Sequence, residues 1–395
     1  MSACFLFRVV RWAGAAACAA WLLIGCGGGV DSGGTGAPQA LASGAANGLG
    51  SVFVAGVEFD DDTAAIQDEF GDALTADQLK VGMLMHIDAS PVVDTATAST
   101  AAAVSVVITR EIIGPVDSVG VAARSFVVLG QTVRVTPATW FDPSLAGAAN
   151  ALAPGQVLDI YGQYDAAANE YVATRVVPSA GSTSYALRGL LTAVDPTGQT
   201  VTIGGLSVSL ASVAAAAVPK LRLGRFYRVQ LDLTPAGPLW TASSISDASE
   251  PLPDRPDVRV VARVSAWTSV TQFSVNGALV DASNATFPNG TAGIVLGARL
   301  KVTGSSLGGV LLANAVTVLG DETAANSIFE VHGPIAALDT TSQTMTVRGV
   351  TINIVGSTQY VGGTAAELVV GQTVDVRGTL ASGLTSLNGQ TVTFD

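Results

Sequence analysis

The stretch Leu152-Ala153-Pro154-Gly155-Gln156-Val157-Leu158-Asp159-Ile160-Tyr161-Gly162 joins a glycine turn to an alternating strand. The same phrase, a leucine or another aliphatic residue, two further residues, a glycine and then a strand, occurs four more times in the 395 residues. The glycines of the five copies are 73, 69, 73 and 74 positions apart, and they are Gly82, Gly155, Gly224, Gly297 and Gly371. A period of about 70 residues indicates an internal repeat of domain size.

A second phrase, a hairpin with glycine at its turn, precedes each copy of the first. Its turn glycines are Gly56, Gly130, Gly205, Gly277 and Gly349. Asn276-Gly277 is the clearest case, since Asn-Gly accepts the positive φ angles of a type I′ turn. Two phrases in a fixed order, five times over, predict five copies of one β module.

A third phrase opens some of the modules with glycine and closes its strand with an Asp-led turn. It begins at Gly114, Gly189 and Gly333; the first module is the most divergent, and the fourth lacks the opening glycine. The predicted modules are repeat 1 (residues 47–109), repeat 2 (110–179), repeat 3 (180–251), repeat 4 (252–322) and repeat 5 (323–395).

Alternation within the strands separates buried from exposed positions, as in Val229-Gln230-Leu231 and Val374-Asp375-Val376. Each module therefore supplies about five short, half-buried strands, which must close on themselves or pack on another sheet. We predict an all-β protein of tandem small barrels that resemble the oligonucleotide/oligosaccharide-binding (OB) barrel. The alternative is one elongated sheet or a β-solenoid, which the long period disfavours. The relative orientation of the modules stays open.

The N-terminus predicts export. Arg8 and Arg11 precede an apolar segment of about 14 residues, as in a secretory signal peptide. The segment ends in Leu23-Ile24-Gly25-Cys26, which resembles the lipobox of bacterial lipoproteins. The resemblance implies that residues 1–25 are a signal peptide and that Cys26 becomes the lipidated first residue. The alternatives are an ordinary signal peptide cut near Ala15–Ala17 and an uncleaved anchor helix.

Residues 26–48 are rich in glycine and are predicted to form a flexible tether. Gly27 stands where the enterobacterial signal for inner-membrane retention would be aspartate. By that analogy the outer membrane is favoured over the inner membrane, with the protein facing the periplasm or the cell surface.

The combination of lipobox, tether and glycine-opened modules is similar to a domain of unknown function that recurs in tandem in proteobacterial lipoproteins. The resemblance covers nearly all of the chain after Cys26 and is clearest in repeats 2 and 5. It implies β structure and the cell envelope, and it implies no activity.

The net charge and the cysteine content limit which partners and which cross-links the protein can have. Residues 1–26 carry two arginines and no acidic residue, so the remainder has 17 basic and 31 acidic residues and a formal net charge of −14. Such a surface repels nucleic acid, and no nucleic-acid partner is predicted. The three cysteines are Cys4, Cys18 and Cys26, so the modules cannot contain disulfides.

Residues able to carry chemistry are few. His86 and His332 lie in different modules, and neither belongs to a catalytic motif. An acidic run could bind Ca²⁺, but its spacing does not fit an EF-hand loop and a solvated loop is the favoured interpretation; the run comprises Asp60, Asp61, Asp62, Asp68, Glu69 and Asp72. We therefore predict no catalytic residue, no metal site and no cofactor.

One basic segment contains Lys220, Arg222, Arg225 and Arg228 beside Phe226 and Tyr227. It could bind an anionic glycan or a single-stranded nucleic acid. Alternation favours a structural role, because it places Arg228 on the strand face opposite Tyr227.

The aromatic candidates for stacking on a sugar are Trp140 and Trp267, with Trp240 as a further possibility. Thr139-Trp140-Phe141 has an echo in Thr358-Gln359-Tyr360, which favours core packing instead. The sequence thus predicts a non-enzymatic envelope lipoprotein that touches the membrane through lipid on Cys26 and acts as a spacer or interaction scaffold. The alternative is a module that binds a polysaccharide or another ligand, and an enzyme would need a polar pocket between modules.

Overall fold

The structure is a computed structural model that describes residues 38–120, 124–179, 181–195, 197, 199–249, 252–320, 322–323 and 327–395.

The first strand of each repeat is held in place by the leucine-x-x-glycine turn found in the sequence. The turn glycines Gly82, Gly155, Gly224, Gly297 and Gly371 all have φ between 78° and 92°. Glycine adopts this left-handed conformation without a steric penalty, so the turn can fold back toward the first strand.

Two backbone hydrogen bonds fasten this turn to the first strand in every repeat. In repeat 2, the Gly155 N–H donates to the Val116 carbonyl and the Val116 N–H donates to the Gln156 carbonyl, at 2.8 and 2.9 Å. The corresponding first-strand residues elsewhere are Ala46, Leu191, Val264 and Ile335, with distances of 2.8–2.9 Å. In repeats 2–5 the first strand is bulged directly after this residue, which increases its bend.

Strand pairing closes each repeat into a small barrel. The first strand pairs antiparallel with the second and the fourth, the second with the third, and the fourth with the fifth, while the third and fifth run parallel. Repeats 3, 4 and 5 have the same pairings. This is the five-stranded, OB-like arrangement that the sequence predicted, so the all-β tandem-barrel fold is confirmed.

The strands of repeats 1 and 2 follow in chain order. Repeat 1 contains β1 to β9, at Ala40–Ala45, Gly48–Leu49, Val52–Val54, Val57–Asp60, Ala65–Asp68, Ala73–Leu74, Leu84–Ala89, Val93–Asp94 and Ser99–Thr109. Repeat 2 contains β10 to β15, at Ile112–Gly120, Ser125–Val128, Gln131–Arg134, Trp140–Phe141, Val157–Asp165 and Glu170–Pro178. Its first to fifth barrel strands are β10, β11, β12, β14 and β15, and β13 is an additional short strand.

Repeats 3 to 5 have five strands each. Repeat 3 contains β16 to β20, at Tyr185–Val194, Thr200–Ile203, Leu206–Ser209, Phe226–Leu231 and Trp240–Asp247. Repeat 4 contains β21 to β25, at Arg255–Ser269, Gln272–Val275, Ala278–Asp281, Arg299–Leu307 and Val310–Val318. Repeat 5 contains β26 to β30, at Ile328–Asp339, Thr344–Val347, Val350–Val361, Thr373–Leu380 and Leu387–Phe394.

Helical structure among the described residues is confined to short 3-10 turns, at Ala76–Gln78, Pro143–Leu145, Ala148–Ala151, Ala215–Ala217 and Ala365–Glu367. None of the helices in this part of the chain has the length and apolar character needed to cross a membrane.

The tether predicted over residues 26–48 is wrong from residue 40 onward, and repeat 1 begins earlier than residue 47. Strand β1, Ala40–Ala45, pairs antiparallel with β7 of its own repeat and parallel with β21 of repeat 4. Its first five residues are all buried. Because both faces of the strand are covered, its small residues show no polar–apolar alternation, and in sequence it resembles the glycine-rich segment before it.

The repeats pack on one another and are not independent domains. Residues 38–395 form one compact unit that contains all three hydrophobic clusters. One cluster joins repeats 1 and 5, a second joins repeats 2 and 3, and the third fills repeat 4 and includes Leu41 of repeat 1. Neighbouring repeats also share strand pairings, such as Ile112 with Leu187.

A glycine series tests the role of the turn. Gly371 has φ of 92°, and a Cβ added there would meet no atom within 4 Å, so Gly371→Ala isolates backbone strain. We expect this change to lower the free energy of unfolding by about 1–2 kcal/mol. Gly378→Ala should cost more, because a Cβ there would lie 2.4 Å from the Asn388 carbonyl oxygen.

Gly356 is the matched control, since it lies in the same repeat with open space and without a left-handed φ. Gly356→Ala should change stability by less than about 0.5 kcal/mol. Urea unfolding followed by circular dichroism measures all three variants. Equal losses for Gly371→Ala and Gly356→Ala would show that the left-handed turn is dispensable.

Candidate functional site

A broad groove lies where repeats 1 and 3 meet the start of repeat 4. It has a volume of about 400 Å³, within the usual range for a small-molecule site. Leu41, Val107 and Leu252 supply apolar surface. The ionisable side chains in its lining are Glu69, His86, Asp88, Arg188, Arg228 and Asp247.

The groove owes its polar lining to strand alternation in β7. Met85, Ile87 and Ala89 are buried in the core, while His86 and Asp88 point to the opposite face. The Asp88 Oδ1 atom accepts hydrogen bonds from Nε and Nη2 of Arg255 in repeat 4, at 2.9 and 2.8 Å. Asp88 therefore connects two repeats.

Two residues of the acidic run that could bind calcium, Asp68 and Glu69, pair with arginine. Arg110 Nη2 donates to Asp68 Oδ2 at 2.6 Å, and Arg110 Nε donates to Glu69 Oε1 at 2.9 Å. Arg228 Nη1 of repeat 3 donates to the Arg110 carbonyl at 2.8 Å. Burial raises the pKa of Glu69, against the opposing attraction of Arg110 and Arg228. Within the described residues no group of His, Cys, Asp and Glu is arranged to hold a metal ion.

Arg188 forms a deeply buried ion pair with Glu111 of repeat 2. Both side chains are only 1% exposed, and Arg188 Nη1 lies 3.0 Å from Glu111 Oε2. The guanidinium also donates to the Ala248 carbonyl and to both oxygens of Asn276 in repeat 4, at 3.0–3.1 Å. Its carbon lies 4.4 Å from the centre of the Phe226 ring. All five N–H donors are thus used, and three repeats meet at one side chain.

The basic segment is also structural in its contacts. Phe226 and Tyr227 are buried, and the Tyr227 hydroxyl donates to the Lys220 carbonyl at 3.0 Å. Arg225 Nη2 lies 3.4 Å from Asp247 Oδ2. The burial pattern of β19 places Arg228 on the face opposite Tyr227, as alternation predicted. The aromatic rings therefore offer no stacking surface here.

The two tryptophan candidates have different positions. Trp140 is 3% exposed and packs edge-on against Phe329 of repeat 5, with 5.3 Å between ring centres. It is unavailable to a sugar, so its prediction as a ligand-stacking residue is wrong. Trp267 is 46% exposed, and its indole N–H donates to the Ile294 carbonyl at 3.0 Å. Trp240 packs on Tyr185.

The echo between Thr139 and Thr358 is confirmed as a structural feature. The Thr139 hydroxyl donates to the Ala173 carbonyl at 2.6 Å, and the Thr358 hydroxyl donates to the Gly389 carbonyl at 2.7 Å. Ala173 and Gly389 hold equivalent places on the fifth strands of repeats 2 and 5. Thr139, which follows the third strand of repeat 2, and Thr358, which lies in the longer third strand of repeat 5, each tie the chain to the fifth strand.

The remaining candidates do not come together. His332 lies in repeat 5, where its Nδ1 is 3.5 Å from Asp395 Oδ2, far along the chain from the groove that His86 lines. Cys26 lies outside the described residues.

Sequence reasoning missed Arg188 and Glu111. The available signal was an isolated charge inside an apolar strand, as in Tyr185-Ala186-Leu187-Arg188-Gly189-Leu190-Leu191. A charge at such a position needs a buried partner, but nothing in the sequence indicates that the partner lies 77 residues away.

The arrangement defines a class of protein, a tandem assembly of OB-like barrels. Residues 113–177 and 332–387 match a family model described as a domain of unknown function, DUF5666. These segments fall in repeats 2 and 5, where the sequence resemblance is clearest. No curated protein matches the sequence significantly.

Among solved structures, one match is drosophila Unr CSD456, at 12% identity over 55% of this chain and 99% of that chain. Its TM-score is 0.13, which is too low to carry an argument about fold or function.

The buried ion pair gives a prediction about how the repeats are joined. Arg188→Met leaves the Glu111 carboxylate buried without its partner, so we expect a loss of about 3–5 kcal/mol in the free energy of unfolding. The double variant Arg188→Met/Glu111→Leu should recover the part of that loss that comes from the unpaired carboxylate, while the Ala248 and Asn276 oxygens still lack their donor. Urea unfolding of the single and double variants measures both.

The matched control is the more exposed pair of Arg225 and Asp247, with side chains 38% and 43% exposed. Asp247→Asn should cost less than about 1 kcal/mol. If Arg188→Met were as mild as this control, the ion pair would not hold the three repeats together.

Proposed function

We propose that this protein is a non-enzymatic lipoprotein of the cell envelope whose five barrels form one interaction scaffold. The observation that carries the proposal is the use of buried charge between repeats. Arg188, Arg110 and Arg255 each connect side chains or carbonyls from different repeats. These buried and partly buried polar groups hold the repeats together, and surface residues remain for contact with other molecules.

The close packing of the repeats favours a scaffold over an extended spacer. A spacer gains reach from modules that touch only their sequence neighbours. Here β1 of repeat 1 pairs with β21 of repeat 4, and β2 pairs with β26 of repeat 5. Repeats that are distant in sequence therefore pair directly within residues 38–395.

The proposed anchor is lipid on Cys26. It is supported by the basic start, the apolar segment and the lipobox-like Leu23-Ile24-Gly25-Cys26. A protein with several acyl chains stays on a membrane, because each buried methylene contributes about 0.8 kcal/mol. Gly27 favours the outer membrane as the destination.

Two cysteine substitutions test the proposed lipid anchor. Cys26→Ala should move the protein from the membrane fraction to the soluble fraction, because the thioether to lipid can no longer form. Cys18→Ala is the control within the same N-terminal stretch, and it should leave the protein in the membrane fraction. Fractionation with metabolic labelling by a fatty acid gives the readout. A Cys26→Ala protein that is still labelled and still sediments with membranes contradicts the proposal.

The second candidate function is glycan binding by repeat 4. A groove of about 300 Å³ runs along β22 and β23, the second and third strands of this barrel. OB folds bind oligosaccharides and oligonucleotides on this part of the barrel. The groove includes polar Gln272, Ser274 and Asp281 and the exposed Leu279.

Glycan binding would appear as a rise in melting temperature with envelope polysaccharides, following mass action. Gln272→Ala and Leu279→Ala, both at lining positions, should then lower the affinity at least about tenfold. Leu223→Ala, at an exposed position in repeat 3 that does not line the groove, should leave it unchanged. If the protein is instead a scaffold, no glycan should give a saturable rise in melting temperature, and envelope proteins should retain the wild-type protein in a pull-down.

A further inference from the structure

The leucine-x-x-glycine turn of repeat 1 is a docking element within the chain. We call the two residues before the glycine the turn tip; in repeat 1 they are Lys80 and Val81. Val81 is 1% exposed and shares a hydrophobic cluster with Trp140 of repeat 2. The Val81 carbonyl accepts a hydrogen bond from Arg175 Nη1 at 3.1 Å, and the Gly82 carbonyl accepts one from Thr174 Oγ1 at 2.6 Å.

The face of repeat 2 that receives this tip has two parts. One is the fifth strand at its bulge, where Thr174 and Arg175 supply the donors. The other is the short strand β13, where Trp140 lies opposite Arg175. We call this combination the receiving face.

Repeat 5 carries an equivalent receiving face, identified by strand register. Its fifth strand is bulged at Gln390, the counterpart of Thr174, and Thr391 is the counterpart of Arg175. Gln359 lies opposite Thr391 as Trp140 lies opposite Arg175. Gln359 and Gln390 are exposed. Val361, next along the same strand, is 52% exposed.

Repeat 5 also carries an exposed turn tip. Val369 is 55% exposed and Val370 is 62% exposed, whereas the equivalent Val81 is covered. A Cβ on Gly371 would meet no atom within 4 Å, whereas one on Gly82 would lie 2.6 Å from the Thr174 carbonyl oxygen. One repeat thus exposes both halves of a contact that repeats 1 and 2 make with each other.

The geometry points to a second copy of this chain as the occupant. The turn tip of repeat 5 in each copy docks on the receiving face of repeat 5 in the other. A contact in which the same two elements are exchanged is self-complementary, as in a two-fold dimer. Val370 packs beside Val361 of the other copy, and Gln390, Gln359 and Thr391 donate hydrogen bonds to the carbonyls of the tip.

The chemistry of the contact predicts its response to salt. The residues that meet are valines and neutral amides and hydroxyls, while the chain as a whole is acidic. Salt screens the repulsion between two acidic copies and leaves the apolar contact in place. Dimerisation should therefore strengthen as the salt concentration rises, whereas a contact held by ion pairs would weaken.

Sedimentation velocity of residues 38–395 tests the proposal, because this segment contains every described strand and all three hydrophobic clusters. We expect a concentration-dependent dimer, with Val370→Asp raising the dissociation constant at least about tenfold. Leu307→Asp, at a position 64% exposed in repeat 4, is the control and should behave as the wild type. Circular dichroism verifies that each variant is folded.

Cysteine cross-linking tests the pairing itself, since residues 38–395 contain no cysteine. Mixing Val370→Cys with Val361→Cys should give a disulfide-linked heterodimer in greater yield than either variant alone. Three results overturn the proposal: a monomer up to about 100 µM, an equal effect of Leu307→Asp, or loss of the dimer with Leu223→Asp at the exposed tip of repeat 3 and not with Val370→Asp.

Discussion

The hydrogen bonds between the turn glycine and the first strand are the constraint on which every barrel depends. A curved first strand must pair with the second strand at one end and the fourth at the other, and the turn fixes the point where it changes partner. The glycine N–H and the following carbonyl engage the same first-strand residue, at 2.8–2.9 Å in all five repeats. A left-handed glycine brings these two groups to one side of the chain, and a residue with a Cβ would adopt that conformation only with strain.

Closure of the individual barrels does not specify how the barrels pack on one another. Buried charged groups specify that packing. Arg188 is enclosed by Glu111, Ala248 and Asn276, which come from three different repeats. A buried pair adds little to stability compared with apolar residues, but separating it is costly. A packing of repeats 2, 3 and 4 that buried these groups apart from one another would leave them without partners. The pair therefore favours this packing over alternatives of similar apolar burial.

The close packing also distributes the surface unequally among the five repeats. The turn tip of repeat 1 is covered by repeat 2, whereas the tips of repeats 3 and 5 are exposed. The same element thus holds the molecule together in one repeat and faces outward in another. Repeats that descend from one pattern can in this way serve either internal assembly or external contact, according to what lies beside them.

The sequence alone determined the strands, the hairpins and the barrel class, while only the tertiary structure decided which residues meet between repeats. Left-handed turns act within a few residues, and Asn276 and Gly277 show this with φ of 48° and 92°. Period-two alternation is equally local; it placed Arg228 correctly but failed at β1, which is covered on both faces. Trp140 is a stacking candidate by sequence, yet it lies buried against Phe329 of repeat 5. The physical reason is that adjacent residues specify a turn or a strand through their conformational preferences, whereas the packing of the whole chain specifies the partner of a buried group.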